Sequence, residues 1–240
     1  VALSIAAASV FAATWTPDWL AIDTAQTLSV ARNIASHGEI ATDVIYYEEH
    51  LLFARSPVPQ TVFPPGYSAL IASLMLLGLS DVLAAQVIVT IAFAIIPLLL
   101  YWILRRTELN ATWAAAISVC WLAMQPMWWN AQGLQSELPF IACTLGAFAC
   151  LMRCDDRNVG WRGPLAAGVL TALACSLRYA GLFFALSIGL VLAFDWLRRR
   201  TRASFIRPAV FSILPLVTLG ALFLRNAALV GDLKGGNNHL

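Results

Sequence analysis

Four charged side chains, Asp23, Glu137, Arg178 and Arg225, stand at the edges of apolar runs where they could do chemistry. Asp23 opens Asp23-Thr24-Ala25-Gln26 just beyond the first apolar stretch. A carboxylate there could take a proton from an attacking hydroxyl or amine and steady positive charge growing at the carbon under attack. It could equally be a helix N-cap, with Gln26 as the third residue of a capping box. Glu137, in Ser136-Glu137-Leu138-Pro139, could add a second carboxylate for an acceptor or a metal. The helix dipole alone also favours a Glu in a first turn, and Pro costs little there. Arg178 and Arg225 close apolar runs. A guanidinium in such a place could grip a phosphate by paired hydrogen bonds that strengthen as the phosphate leaves, or it could snorkel to lipid headgroups.

The elements that must position these groups are membrane helices. Of 240 residues 60% are hydrophobic and only 12% charged, with a mean hydropathy of +0.76, whereas a soluble domain is about half apolar and a quarter charged. The expected fold is all-α: a polytopic helical membrane protein forming a single transmembrane domain over 1–240. Apolar runs predict spans near 1–15, 82–104, 111–129, 137–152, 164–177, 180–197 and 208–224. The run from Gly66 to Ser80 is too short and reads as half-inserted or interfacial. With seven crossings, Arg105, Arg106, Arg153, Arg157, Arg162, Arg198, Arg199, Arg200, Arg202 and Arg207, ten of the fifteen basic residues, fall on the cytoplasmic side.

That topology puts the loop 16–66 outside, with Asp18, Asp23, Glu39, Asp43, Glu48 and Glu49; Asp81, Glu137 and Asp232 join them there. It also puts Arg178 and Arg225 outside, where arginine is least expected and an anion should compensate it. A lipid-linked phosphate is the natural candidate. Within the loop, Asp23 as cap and Gly38 as stop predict a helix from Thr24 to His37. Leu20, Leu28, Ala31, Ile34 and Ala35 give it an apolar stripe suited to the membrane interface. Residues 39–62 show no period and read as an extended loop.

Other features have plainer readings. His37, His50, Glu48 and Glu49 match no compact ligand spacing and read as a solvated loop, as do the charges of Arg32 and Arg55. Trp15, Trp19, Trp128 and Trp129 fit an aromatic belt. Cys120, Cys143, Cys150, Cys154 and Cys175 lie in or beside apolar runs and read as packing residues. A net charge of +2 without a basic patch excludes nucleic-acid binding. The start inside an apolar run and the abrupt end suggest the N-terminal part of a longer enzyme.

Taken in order, the acidic residue after the first span, Ala31-Arg32-Asn33-Ile34-Ala35, Phe63-Pro64-Pro65-Gly66-Tyr67, Ser136-Glu137, Ser176-Leu177-Arg178-Tyr179-Ala180-Gly181 and Arg225-Asn226 resemble a known set. It is that of the GT-C membrane glycosyltransferases, in the bacterial branch related to protein O-mannosyltransferases and aminoarabinose transferases. The resemblance implies a GT-C-like bundle in the bacterial cytoplasmic membrane, with its active site facing the periplasm or outside. It implies an enzyme moving a sugar, with inversion, from a polyprenyl-phosphate-linked donor to a lipid, glycan or protein acceptor. By the same resemblance Asp23 is the catalytic base, Glu137 the second acidic position for acceptor or metal, Arg178 and Arg225 the donor-phosphate contacts, and Pro64, Pro65, Gly66 and Tyr67 the loop motif. A divalent metal is compatible with this set and not required by it. Two positions depart from the pattern: Ile22 and Thr24 flank Asp23 where many relatives carry a second acidic residue or Gly, and Phe63 precedes the prolines where aminoarabinose transferases carry a charge.

A secondary transporter is the main rival. Transporters place ionisable groups or broken helices at mid-membrane, whereas the centres of 82–104, 111–129 and 208–224 carry no charge. A non-catalytic scaffold leaves the acidic loop and the outer arginines unexplained.

Overall fold

The computed structural model describes residues 1–16, 20–44, 53, 56–153 and 161–233. Asp18, Trp19, Glu48, Glu49, His50, Arg55, Cys154 and Arg157 therefore lie outside the described residues. The described residues are helical apart from two paired two-residue strands and the connecting turns, as the composition implies. In order come α1 (Ala2–Thr14), α2 (Ile22–His37), β1 (Ala41–Thr42), β2 (Val58–Pro59), α3 (Gly66–Met75), α4 (Asp81–Arg106) and α5 (Ala111–Leu122). After these come α6 (Gln125–Gln132), α7 (Glu137–Met152), α8 (Arg162–Leu177), α9 (Gly181–Arg199) and α10 (Arg202–Val230). Among the described residues α4, α9 and α10 are long and apolar enough to cross a membrane. A fourth span results if α6 and α7, bent by 118° at their junction, are taken together. The ten residues of α3 rise only about 15 Å at 1.5 Å per residue, half of a bilayer core, which suits a half-inserted element.

The core lies where α1, α2 and α3 meet α4 and the start of α7. Phe93 of α4 is fully buried at its centre, its ring 5.9 Å from that of Phe11, 5.5 Å from Trp121 and 5.1 Å from Trp128. Leu28 and Ala31 of α2, Ile71 and Ala72 of α3, and Leu134, Leu138 and Leu177 complete it. Leu20, Ile34 and Ala35 pack on the same cluster, so the apolar stripe of α2 faces the bundle. Beyond it α7, α8 and α10 pack in sequence. On α9 and α10 the large apolar side chains Phe183, Leu190, Phe194, Leu216 and Leu224 stay exposed, as lipid-facing residues must.

One expected span is corrected. The run 111–129 is not one helix: α5 stops at Leu122, Met124 is extended, and α6 begins with Pro126 in its first turn. Proline lacks the amide that would continue the ladder and clashes with the preceding turn. Trp15 and Trp128 pack in part against the core, their indole N–H groups satisfying chain carbonyls near the ends of α5 and α6: Trp128 donates to Leu122 at 2.6 Å and Trp15 to Gln132 at 2.9 Å. Arg32 is largely exposed, as expected of a solvated charge, and its pair with Asp81 at 2.6 Å ties α2 to the start of α4.

The described part of 39–62 has a short ladder. Ala41 pairs with Pro59 and Thr42 with Val58, antiparallel. Ser29 and Asn33 hold its near side, Asn33 Nδ2 donating to the Ala41 carbonyl at 3.0 Å and to Asp43 at 2.9 Å, while Ser29 Oγ accepts from the Asp43 amide at 2.8 Å.

Candidate active site

The α2 helix starts earlier than capping logic predicts. Ala21, extended at φ −63° and ψ 147°, is its N-cap, so Asp23 is the second helical residue and Gln26 is not a capping partner. In the same turn the Thr24 hydroxyl is buried and donates to the Gly133 carbonyl at 2.5 Å. Asp23 remains near the positive end of the helix dipole, a favourable site for a carboxylate. Gly38 ends the helix as expected, left-handed at φ 72°.

Thr24 is one of three anchors on the turn between α6 and α7. Trp15 donates to the carbonyl of Gln132, Thr24 to that of Gly133 and Tyr67 to that of Leu134, the last at 2.8 Å. The end of α1, the start of α2 and the start of α3 thus each hold one of three successive carbonyls. Leu134 is fully buried with φ 50°, a left-handed conformation that costs a bulky residue roughly 1–3 kcal/mol unless its surroundings fix it. The anchors supply that fixation and set where α7, and with it Glu137, begins. Burial, and after it the negative charge of Glu137, raises the Tyr67 hydroxyl well above the ordinary tyrosine range, so it stays a donor at any physiological pH. Tyr67→Phe leaves the buried Leu134 carbonyl without its partner and should cost about 1–3 kcal/mol. Thermal unfolding in detergent reads that loss, and an unchanged midpoint would show that the anchor is dispensable.

The Pro-Pro-Gly-Tyr motif has a packing reason. A Cβ on Gly66 would come within 2.5 Å of the Ser176 carbonyl oxygen, so only glycine lets α3 touch the end of α8. Pro65 is the N-cap residue of α3, and Pro64 and Tyr67 face the site. At the other wall, Gly181 lies so close to Cys175 that an added Cβ would be 2.6 Å from its backbone. This makes the turn from α8 to α9 tight, and it places Arg178, extended after the last turn of α8, at the mouth of the bundle.

These elements enclose a cleft of about 210 Å³ lined by Asp23, Thr27, Pro64, Tyr67, Glu137 and Arg178, with Tyr179 at its rim. The sequence-predicted acidic positions and one predicted arginine therefore meet, although they are distant in the chain. Arg178 Nη1 donates to Ser136 Oγ at 3.2 Å and makes an ion pair with Glu137 Oε1. Glu137 Oε2 is buried with no hydrogen-bond partner among the described residues. The anion that compensates Arg178 is thus a neighbouring carboxylate of the chain.

Arg225 does not line this cleft. It donates to the carbonyls of Gln60 at 2.6 Å and Ile40 at 3.1 Å. The next residue, Asn226, is buried and donates to the Tyr179 hydroxyl at 2.8 Å, which in turn donates to the Thr61 carbonyl at 3.3 Å. The end of α10 therefore grips the segment leading into Val62, Phe63 and Pro64, the loop wall of the cleft. Thr24, Tyr179 and Asn226 carried no chemical signal of their own in the sequence. Among the described residues no group of three or more His, Cys, Asp or Glu side chains could hold a metal ion.

Residues 62–220 match the family described as dolichyl-phosphate-mannose-protein mannosyltransferase. The chain belongs to this family. The match includes the loop motif, Glu137 and Arg178, and it begins after Asp23 and ends before Arg225. No curated protein and no solved structure matched the chain. As a member of the mannosyltransferase family, the protein is a membrane glycosyltransferase that uses a polyprenyl-phosphate-linked sugar, and its bundle, loop motif and cleft are to be understood in those terms. A reaction that consumes a lipid-linked donor accounts for a cleft at the mouth of membrane helices.

Proposed function

We propose that the cleft is the active site and that Asp23 is its general base, accepting the proton of the acceptor oxygen or nitrogen as it attacks the anomeric carbon with inversion. Arg178 takes up the charge of the departing polyprenyl phosphate. That leaving group needs little help from an acid, so cationic stabilisation and a base are the main demands on the protein. The observation that carries this reading is the meeting of Asp23, Glu137 and Arg178 in one cleft. Glu137 faces the acceptor side or a metal as the second acidic group. Arg225, engaged by two carbonyls, shapes the loop wall, and we assign it that task in place of phosphate binding. An apolar groove between α9 and α10, lined by Leu182, Leu186, Gly189, Pro215 and Leu219, begins two residues beyond Ala180 of the cleft, which suits the lipid part of the donor.

We place the protein in a bacterial cytoplasmic membrane with the cleft on the outer side. Arg106, the last residue of α4, and Arg153, after α7, both lie over the Trp102 ring, at 5.0 and 5.1 Å. This supports a common side for these two basic helix ends, opposite to the cleft end of α7, and the positive-inside rule makes that side cytoplasmic. Single cysteines in a cysteine-free background test the orientation. A membrane-impermeant reagent added outside should label Asp232→Cys and leave Arg105→Cys unlabelled; outside labelling of Arg105→Cys would turn the cleft to the wrong compartment.

A further inference from the structure

Before any phosphate arrives, Arg178 already has an anion. Its Nη1 contacts Glu137 Oε1 and Ser136 Oγ, and both members of the pair remain open to the cleft, their side chains 37% and 30% exposed. A phosphate entering the cleft must draw the guanidinium away from Glu137 and also sits near a repelling carboxylate. The donor and the product differ in how well they can do this. A polyprenyl-phosphate sugar is a phosphodiester with one negative charge. The polyprenyl phosphate left after transfer is a monoester, carrying about −1.5 to −2 near neutral pH. An arginine with no competitor would therefore hold the product more tightly than the substrate, and a lipid product already confined to the bilayer would clear slowly.

We propose that Glu137 is the release residue of this enzyme: it cedes Arg178 to the donor phosphate and takes it back to expel polyprenyl phosphate. The proposal rests on the reading of Arg178 as the phosphate contact. Oε2 is buried and has no hydrogen-bond partner among the described residues, so a Glu137 that has ceded Arg178 keeps neither oxygen partnered, and a carboxylate without hydrogen bonds in a partly desolvated cleft is costly. Arg178 is then a switch between two anions.

The test is the affinity of a polyprenyl phosphate of defined chain length for the protein in nanodiscs, measured for wild type, Glu137→Gln, Arg178→Ala and the double variant. Removing the competing charge should tighten binding of the product roughly tenfold, or about 1.4 kcal/mol, and tighten the donor less. The tightening should shrink markedly in the Arg178→Ala background, where only relief of repulsion is left. Unchanged or weaker binding in Glu137→Gln would overturn the proposal, as would a tightening equally large without Arg178, since that is plain repulsion without exchange. Phosphate affinity untouched by Arg178→Ala would instead overturn the assignment of Arg178 itself. Should the Gln variant not fold, Glu137→Asp, with a shorter reach to Arg178, should tighten product binding by a smaller factor, and no tightening there counts equally against the proposal.

Discussion

Asp23→Asn should abolish nearly all sugar transfer while leaving the protein folded and able to bind its donor. Asp23 lies within the first turn of α2, whose N-cap is Ala21, so its replacement removes no cap. What Asn gives up is a negative charge near the helix N-terminus, worth about 0.3–1 kcal/mol. The amide cannot take the acceptor's proton, and loss of a positioned base lowers rates by roughly a hundredfold to ten-thousandfold. Asp23→Ala should lose transfer to the same extent. A large loss of stability in either variant would mean that Asp23 holds the loop.

Gly66→Ala is expected to strike fold and activity together. The new methyl would lie 2.5 Å from the Ser176 carbonyl oxygen and 2.6 Å from its carbon, and backbone cannot swing aside as a long side chain can. Either α3 lifts from α8 or the end of α8 shifts, at a cost of about 1–3 kcal/mol for overpacking. Both movements displace cleft residues, since Tyr67 follows Gly66 directly and Arg178 lies two residues beyond Ser176. A misplacement near 1 Å can cost roughly a hundredfold in rate. Thermal unfolding and turnover measured on the same preparation check this, and a variant normal in both would contradict the close approach of the two helices.

Features set by local chemistry were legible in the sequence, and those set by contacts across the chain were not. Apolar runs located the helices because twenty such residues have few alternatives in a bilayer, and Gly38 announced the end of α2 through its left-handed backbone. The start of α2 was misread because Asp23 and Gln26 have the form of a capping box, whereas the extended residue that opens the helix is Ala21, which has no capping side chain. The break at Met124 was hidden because apolar residues continue through it, although Pro126 was the available signal. Asp23, Glu137 and Arg178 were each recognisable as charges at apolar edges, but the ion pair between Glu137 and Arg178 depends on how α7 packs on α8. Arg225 looked like Arg178 in sequence, yet the carbonyls of Gln60 and Ile40 give it a different task.

The most direct test follows a polyprenyl-phosphate sugar, labelled in both sugar and lipid, in proteoliposomes holding wild type or Asp23→Asn. Wild type should release polyprenyl phosphate in step with sugar reaching the acceptor, and the Asn variant should bind the donor and leave its glycosidic bond intact. Cleavage by Asp23→Asn at the wild-type rate, or passage of the label across the bilayer with the donor uncleaved, would contradict a base-assisted transfer in this cleft.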